Sequence, residues 1–295
     1  MSGAAAAARR AEALGASLPP LLVAAKRVAA TVASGVHGRR RVGQGDAFWE
    51  YRPLLPGESP RRADPRASAK AARPFVRETE WEAAQTALLW RDGSASMRWR
   101  SGASLPTKVE RAELLLLALA ALLLRGGERI ALLDGAPRSR AGRAGLDAVA
   151  EQLATASRQE AGVSGDDGLP PAVPLPRFAR AVLIGDFLAP LDRIKERIAG
   201  MAGAGVGGHV LQVLDPAEAA LPYAGRVRFR GLEGEADHLI ANVEGVKDAY
   251  AAALAAQQQG LAGLCAAAGW SFAVHRTDHP PEPALLGLHA ALSRA

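Results

Sequence analysis

Asp92-Gly93-Ser94-Ala95-Ser96 is the stretch of this 295-residue chain whose residue types and spacing point most directly to chemistry. Alternate side chains of a loop can converge, so a D-x-S-x-S sequence offers one carboxylate and two hydroxyls to a single point. Hard oxygen donors of low total charge suit Mg²⁺, or Mn²⁺, with water completing the coordination. The plainer reading of the same residues is a turn that caps the helix after it. Asp134, Asp186 and Asp215 belong beside this stretch because each ends an apolar run of strand character.

Asp92, Asp186 and Asp215 at strand ends could also hold Mg²⁺ for attack on a phosphate, and a metal-dependent phosphohydrolase is the enzymatic alternative. Phosphatases of the haloacid-dehalogenase type need a second Asp two residues after the first, where this chain has Ser94. A G-x-x-x-x-G-K-[ST] phosphate loop is absent, and Gly43-Gln44-Gly45 lacks the preceding strand and third glycine of a dinucleotide site. No nucleophile elbow surrounds Ser94 or Ser96. His275 and His279 stand four apart, but Pro280-Pro281 follow and a strand precedes, so they read as surface residues. The single cysteine, Cys265, excludes a disulfide framework and reads as a small buried apolar group. These absences make enzymatic activity the lesser expectation.

The elements that must position these residues alternate from about residue 84. Ala87 to Trp90 predicts a strand, and Thr107-Lys108-Val109-Glu110 a capping box before a Leu-rich helix. Gly126-Gly127 stop that helix. Strands then follow at 129–133, 180–185, 209–214, 226–230 and 271–275, with helices over 142–157, 191–202, 246–268 and 283–292 between and after them. This spacing predicts an α/β fold with a doubly wound, mostly parallel sheet, whose ligand sites lie at the carboxyl ends of the strands. The 11-residue apolar run 114–124 is too short to span a membrane, which needs roughly 20 residues.

Charge divides the chain. Residues 1–80 carry 14 Lys+Arg against 7 Asp+Glu, and residues 81–295 carry 22 against 23, so the net +6 is a basic front and a neutral body. Residues 1–36 read as an N-terminal helical segment, 37–80 as an Arg/Gly/Pro-rich irregular module with a short strand near 73–80, and 81–295 as the α/β domain. Arg39, Arg40, Arg61, Arg62 and Arg66 are the candidate partner-binding cations of the module. Asp46, Glu50, Glu58 and Asp64 are interleaved with them, which fits docking to an acidic protein surface better than tracking nucleic acid. Ala4 to Ala8 precede Arg9 and Arg10, the reverse of a secretory signal, so the expected location is cytoplasmic.

The D-x-S-x-S loop, Ile184-Gly185-Asp186-Phe187-Leu188 and Leu211 to Glu218 resemble the von Willebrand factor A-like core of the bacterial domain-of-unknown-function family 58. Gly43-Gln44-Gly45-Asp46-Ala47-Phe48, Tyr51-Arg52-Pro53 and Pro56 to Asp64 resemble the signature stretch before that core. The resemblance implies a metal-ion-dependent adhesion site holding Mg²⁺ through Asp92, Ser94, Ser96 and Asp186, with Asp134 or Ser139 in the place of the second-loop Thr. Residues 134–140 leave little room for the family's hairpin edge strand. Similar proteins are often encoded beside AAA+ ATPases of the MoxR type, which implies such an ATPase as partner and an adaptor role in complex assembly. A metal-independent scaffold docking through the Arg-rich module is the remaining alternative.

Overall fold

The computed structural model describes residues 86–293 apart from 136, 161–167 and 234–235, and, before them, 42–43, 47–54, 59, 63–64, 68 and 74–80. The helical segment expected over 1–36 and the cations Arg39, Arg40, Arg61, Arg62 and Arg66 lie outside the described residues. Among the described residues of 37–80, the short strand expected near 73–80 is present, and two further strands stand where irregular backbone is expected. Strands β1 (Val42–Gly43), β2 (Ala47–Pro53) and β3 (Phe75–Glu80) form an antiparallel sheet in the order β1-β3-β2. The surrounding glycines and prolines concealed Phe48, Trp49 and Tyr51, which are strand-forming residues; Pro53 falls at the strand's end, where its missing N–H costs no pairing.

The second sheet has five strands, β4 (Thr86–Arg91), β5 (Arg129–Leu132), β6 (Arg180–Gly185), β7 (Gly207–Leu214) and β10 (Ser271–Arg276). All its pairings are parallel, in the order β10-β7-β6-β4-β5. Burial on both faces explains why β4 and β6 read as continuous apolar runs. Helices α1 (Lys108–Arg125), α2 (Gly142–Glu160) and α6 (Pro281–Ser293) cover one face; α3 (Leu191–Gly203) and α5 (Lys247–Ala267) cover the other. The fold is therefore doubly wound, as the alternation predicts. A short helix, α4 (Pro216–Ala220), follows β7.

Strand 226–230 does not join this sheet. β8 (Val227–Phe229) pairs only with β9 (His238–Ile240) as a separate antiparallel hairpin. Its half-exposed, Arg-bearing sequence cannot serve as an interior parallel strand. At the other edge, residues 134–140 contribute one antiparallel bridge, Ile130 to Arg140, where the resemblance implies a hairpin strand.

α1 is the centre of the core. Its capping box is complete: Thr107 Oγ1 accepts from Glu110 N at 3.2 Å, and Thr107 N donates to Glu110 Oε2 at 2.8 Å. Leu115, Leu116 and Leu119 have no exposed surface, and truncating any one to Ala would cost about 2–5 kcal/mol. Among the described residues no helix is long and apolar enough to cross a membrane. Cys265 is buried in the opposite layer, and burial pushes its thiol up to about 11, so it stays protonated as expected of a packing residue.

His209 and His275 are both buried, which corrects the reading of His275 as a surface residue. His209 Nδ1 lies 2.8 Å from Ser271 Oγ, and His275 Nε2 lies 2.8 Å from Arg111 Nη1, because Arg111 crosses from α1 to the end of β10. Burial pushes both down from 6.5 to about 4, helped at His275 by the Arg111 charge. The unfolded chain takes up these protons near pH 6.5 and the folded chain only near 4. Stability is thus complete above about pH 6.5 and falls as pH drops toward 4. Urea midpoints measured from pH 7.5 to 4.5 should decline across that window, with a shallower slope in His275→Asn; a flat profile would contradict the burial of these rings.

Candidate functional site

β5 lies on one side of β4 and β6, β7 and β10 lie on the other, so the strand order reverses between β4 and β6. A crevice opens at that reversal beyond the carboxyl ends of the strands. The two residues that step off there are Asp92, after β4, and Asp186, after β6. Asp92 N donates to Ile184 O at 2.8 Å, extending the pairing by one residue. Gly185 makes this approach possible, since a Cβ there would stand 2.9 Å from Asp92 Cβ. The chain then turns at Phe187, a fully buried residue whose φ of +49° is a strained conformation for an L side chain.

The D-x-S-x-S loop folds as an Asx turn: Asp92 Oδ1 accepts from Ser94 N at 2.8 Å, and a 3₁₀ turn over Ala95–Arg98 plugs Met97 into the core. The two hydroxyls converge as their spacing predicts, while Asp92 Oδ1 serves the loop's own turn. Ser94 Oγ and Ser96 Oγ lie 3.1 Å apart, and Ser96 Oγ donates to Asp186 Oδ2 at 2.6 Å. Asp186 is held from behind by Gln212, whose Nε2 donates to its carbonyl at 2.8 Å.

A fifth residue, missed in the sequence, completes the cluster. Lys108 is the first residue of α1, has no exposed surface, and places Nζ 2.9 Å from Asp186 Oδ2 and 2.6 Å from Glu218 Oε1. Burial, the largest single influence, pulls this ammonium's pKa down; Asp186 and Glu218 together outweigh it and hold it above the ordinary lysine value. Burial likewise raises Glu218, against the lowering by Lys108. Glu218 in turn closes the capping box of α4, its Oε2 accepting from Asp215 N at 2.9 Å. The available signal was that Lys108 puts a cation in the first turn of a helix, where the dipole opposes it, in a chain with 31 Arg and only 5 Lys.

The other expected residues are engaged elsewhere. Asp215 is a cap, accepting from Ala217 N at 2.8 Å and from Ser101 N at 2.9 Å. Asp134 accepts from Gln152 Nε2, and the exposed Ser139 accepts from Arg129 Nε at 2.7 Å, so the structure joins neither to the cluster. His209 and His275 face Ser271 and Arg111, leaving the two serines bonded to each other and to Asp186.

A hard cation at this point would need oxygens about 2.1 Å away and about 2.9 Å from one another. Ser96 Oγ has roughly that spacing to Ser94 Oγ and to Asp186 Oδ2. The charge fits poorly, because Asp186 already shares Lys108 with Glu218 and a divalent ion on the same carboxylate oxygen would stand beside that ammonium. Among the described residues, no three His, Cys, Asp or Glu side chains are grouped to hold a metal. Lys108 is the cation that meets Asp186 and Glu218 in this structure.

Ser96 also faces outward. Its N–H donates to Glu233 Oε1 at 3.1 Å, and it lines a groove of about 550 Å³ with Trp99, Leu221, Tyr223, Phe229 and Tyr250. Tyr223 and Phe229 meet edge to face, ring centroids 5.8 Å apart, and Arg228 and Arg230 stand on the hairpin wall.

Comparison with known proteins gives a consistent but functionally silent picture. A family model described as "Protein of unknown function DUF58" matches residues 50–260. The uncharacterized protein Rv1480 of Mycobacterium tuberculosis and the uncharacterized protein Mb1516 of Mycobacterium bovis are each 29% identical over 279 residues, covering 90% of this chain and 85% of theirs. Among solved structures, the conserved hypothetical protein BatB of Bacteroides thetaiotaomicron is similar at a TM-score of 0.42 and 14% identity. An aerotolerance-related membrane protein of Bacteroides fragilis is similar at 0.35 and 14%. Each covers 72% of this chain and all of its own.

Removing Lys108 should leave two buried carboxylates facing each other. Lys108→Ala is expected to lower the free energy of unfolding by about 3–5 kcal/mol, while Asp215→Ala, which removes a cap, costs about 0.5–2 kcal/mol. Urea unfolding of the two variants checks the ranking, and equal small losses would mean that the ion pairs carry little.

Proposed function

The chain belongs to the family described as Protein of unknown function DUF58, and from that premise we propose that it is a non-enzymatic, cytoplasmic interaction protein with an A-like core. It acts as an adaptor for a MoxR-type AAA+ ATPase in complex assembly. Its partner-binding face is the switch-point crevice together with the groove beside it.

The observation that carries this reading is the position of Ser96. Its hydroxyl closes the buried polar cluster, while its N–H, on the outer side, holds a carboxylate, that of Glu233. A partner's acidic side chain would take the same place, with its flanking apolar residues against Trp99, Tyr223 and Phe229 and further acids opposite Arg228 and Arg230. Among the described residues the two hydroxyls bond to one another and to the Asp186 carboxylate, and no imidazole or amine accepts from either, which favours binding over nucleophilic catalysis.

The direct test is titration of the purified chain with the purified MoxR-type ATPase from the same cell. Phe229→Asp, which puts a charge on the groove wall, should weaken binding about tenfold or more, or about 1.4 kcal/mol. Glu233→Ala should strengthen it by removing the internal competitor. If both variants bind as the parent does while Arg61→Glu with Arg62→Glu abolishes binding, the contact is made by the Arg-rich module instead.

A further inference from the structure

We propose that Lys108 is the resident cation of the switch-point site, standing in for a divalent metal, and that its ammonium masks a cation site formed by Asp92, Ser94, Ser96 and Asp186. The inference rests on the cluster's geometry and is independent of which partner the outer face engages.

Four observations converge on it. The lysine has no exposed surface, a state that a charged side chain occupies only when its charge is matched. It is matched twice, by Asp186 at 2.9 Å, just after β6, and by Glu218 at 2.6 Å, in the first turn of α4. Its backbone is fixed as the first residue of the most buried helix of the fold, so the ammonium is delivered at a set height above the sheet. The hydroxyl pair meets the same oxygen that the ammonium meets: Ser96 Oγ and Lys108 Nζ both donate to Asp186 Oδ2. One carboxylate oxygen thus connects the D-x-S-x-S loop to the internal cation.

Lysine does here what a metal does electrically, neutralising converging carboxylates, but without an open coordination position. The consequence is a site whose integrity is indifferent to Mg²⁺ and to chelators. Replacing Lys108 by a neutral side chain of similar length leaves the Asp186 carboxylate without its ammonium and beside the paired hydroxyls of Ser94 and Ser96, with Asp92 at the base of the same loop, and that uncompensated charge attracts a hard divalent ion.

Calorimetric titration of the full chain with Mg²⁺ and Mn²⁺ alone tests this, in parallel with thermal unfolding in each ion and in chelator. The parent protein should give no saturable heat and an unchanged Tm. Lys108→Met should bind one ion at least about 100-fold more tightly than the parent, with a Tm raised by roughly 2–5 °C in the presence of the ion. Adding Asp92→Asn should abolish that gain. Saturable one-site binding by the parent that is lost in Asp92→Asn overturns the proposal, and this measurement does not depend on Lys108→Met folding. A folded Lys108→Met protein indifferent to both ions overturns it as well.

Discussion

The ammonium of Lys108 between Asp186 and Glu218 is the interaction on which the architecture of the site depends. It joins the start of α1, the end of β6 and the start of α4, three segments distant in sequence. A buried ion pair of this kind contributes little net stability relative to a well-packed apolar replacement, because removing the charges from water consumes most of the Coulombic gain. Its effect is one of specification. With Lys108 in place the two acids have a single low-energy arrangement, and the D-x-S-x-S loop closes on one of them through Ser96.

The parallel sheet makes this convergence possible. Because β4 and β6 are neighbours and the chain departs from them in opposite directions, Asp92 and Asp186 step off side by side, in close approach at the glycine at 185. The switch-point crevice is bounded on its outer side by the β8–β9 hairpin and Glu233. The buried cluster and the outer groove therefore meet at one residue, Ser96, through its hydroxyl and its N–H.

Much of this arrangement is legible in local sequence. β6 and the start of α3 fall where apolar runs and breakers place them, and the Thr107–Glu110 capping box is visible as four letters. Convergence of the Ser94 and Ser96 hydroxyls follows from alternation in a loop. The parts that were not legible depend on distant contacts. β2 was concealed because its strand-forming aromatics sit among glycines and prolines whose turns could equally serve a loop. β8 has strand character that says nothing about which sheet it joins, and β9 is only three residues long. Lys108 and Glu218 are 110 residues apart, and no spacing rule links them. Asp215 shows the converse, a strand-end acid that local pattern marks for chemistry and the structure uses as a cap.

The most direct measurement is a double-mutant cycle on folding stability with Lys108→Met, Asp186→Asn and the combination of both. The account predicts strong coupling, with the double variant recovering about 1.5–3 kcal/mol relative to the sum of the single losses, because each single change leaves a buried charge uncompensated. Additive losses, with coupling near zero, would contradict the claim that this ammonium and this carboxylate define the site.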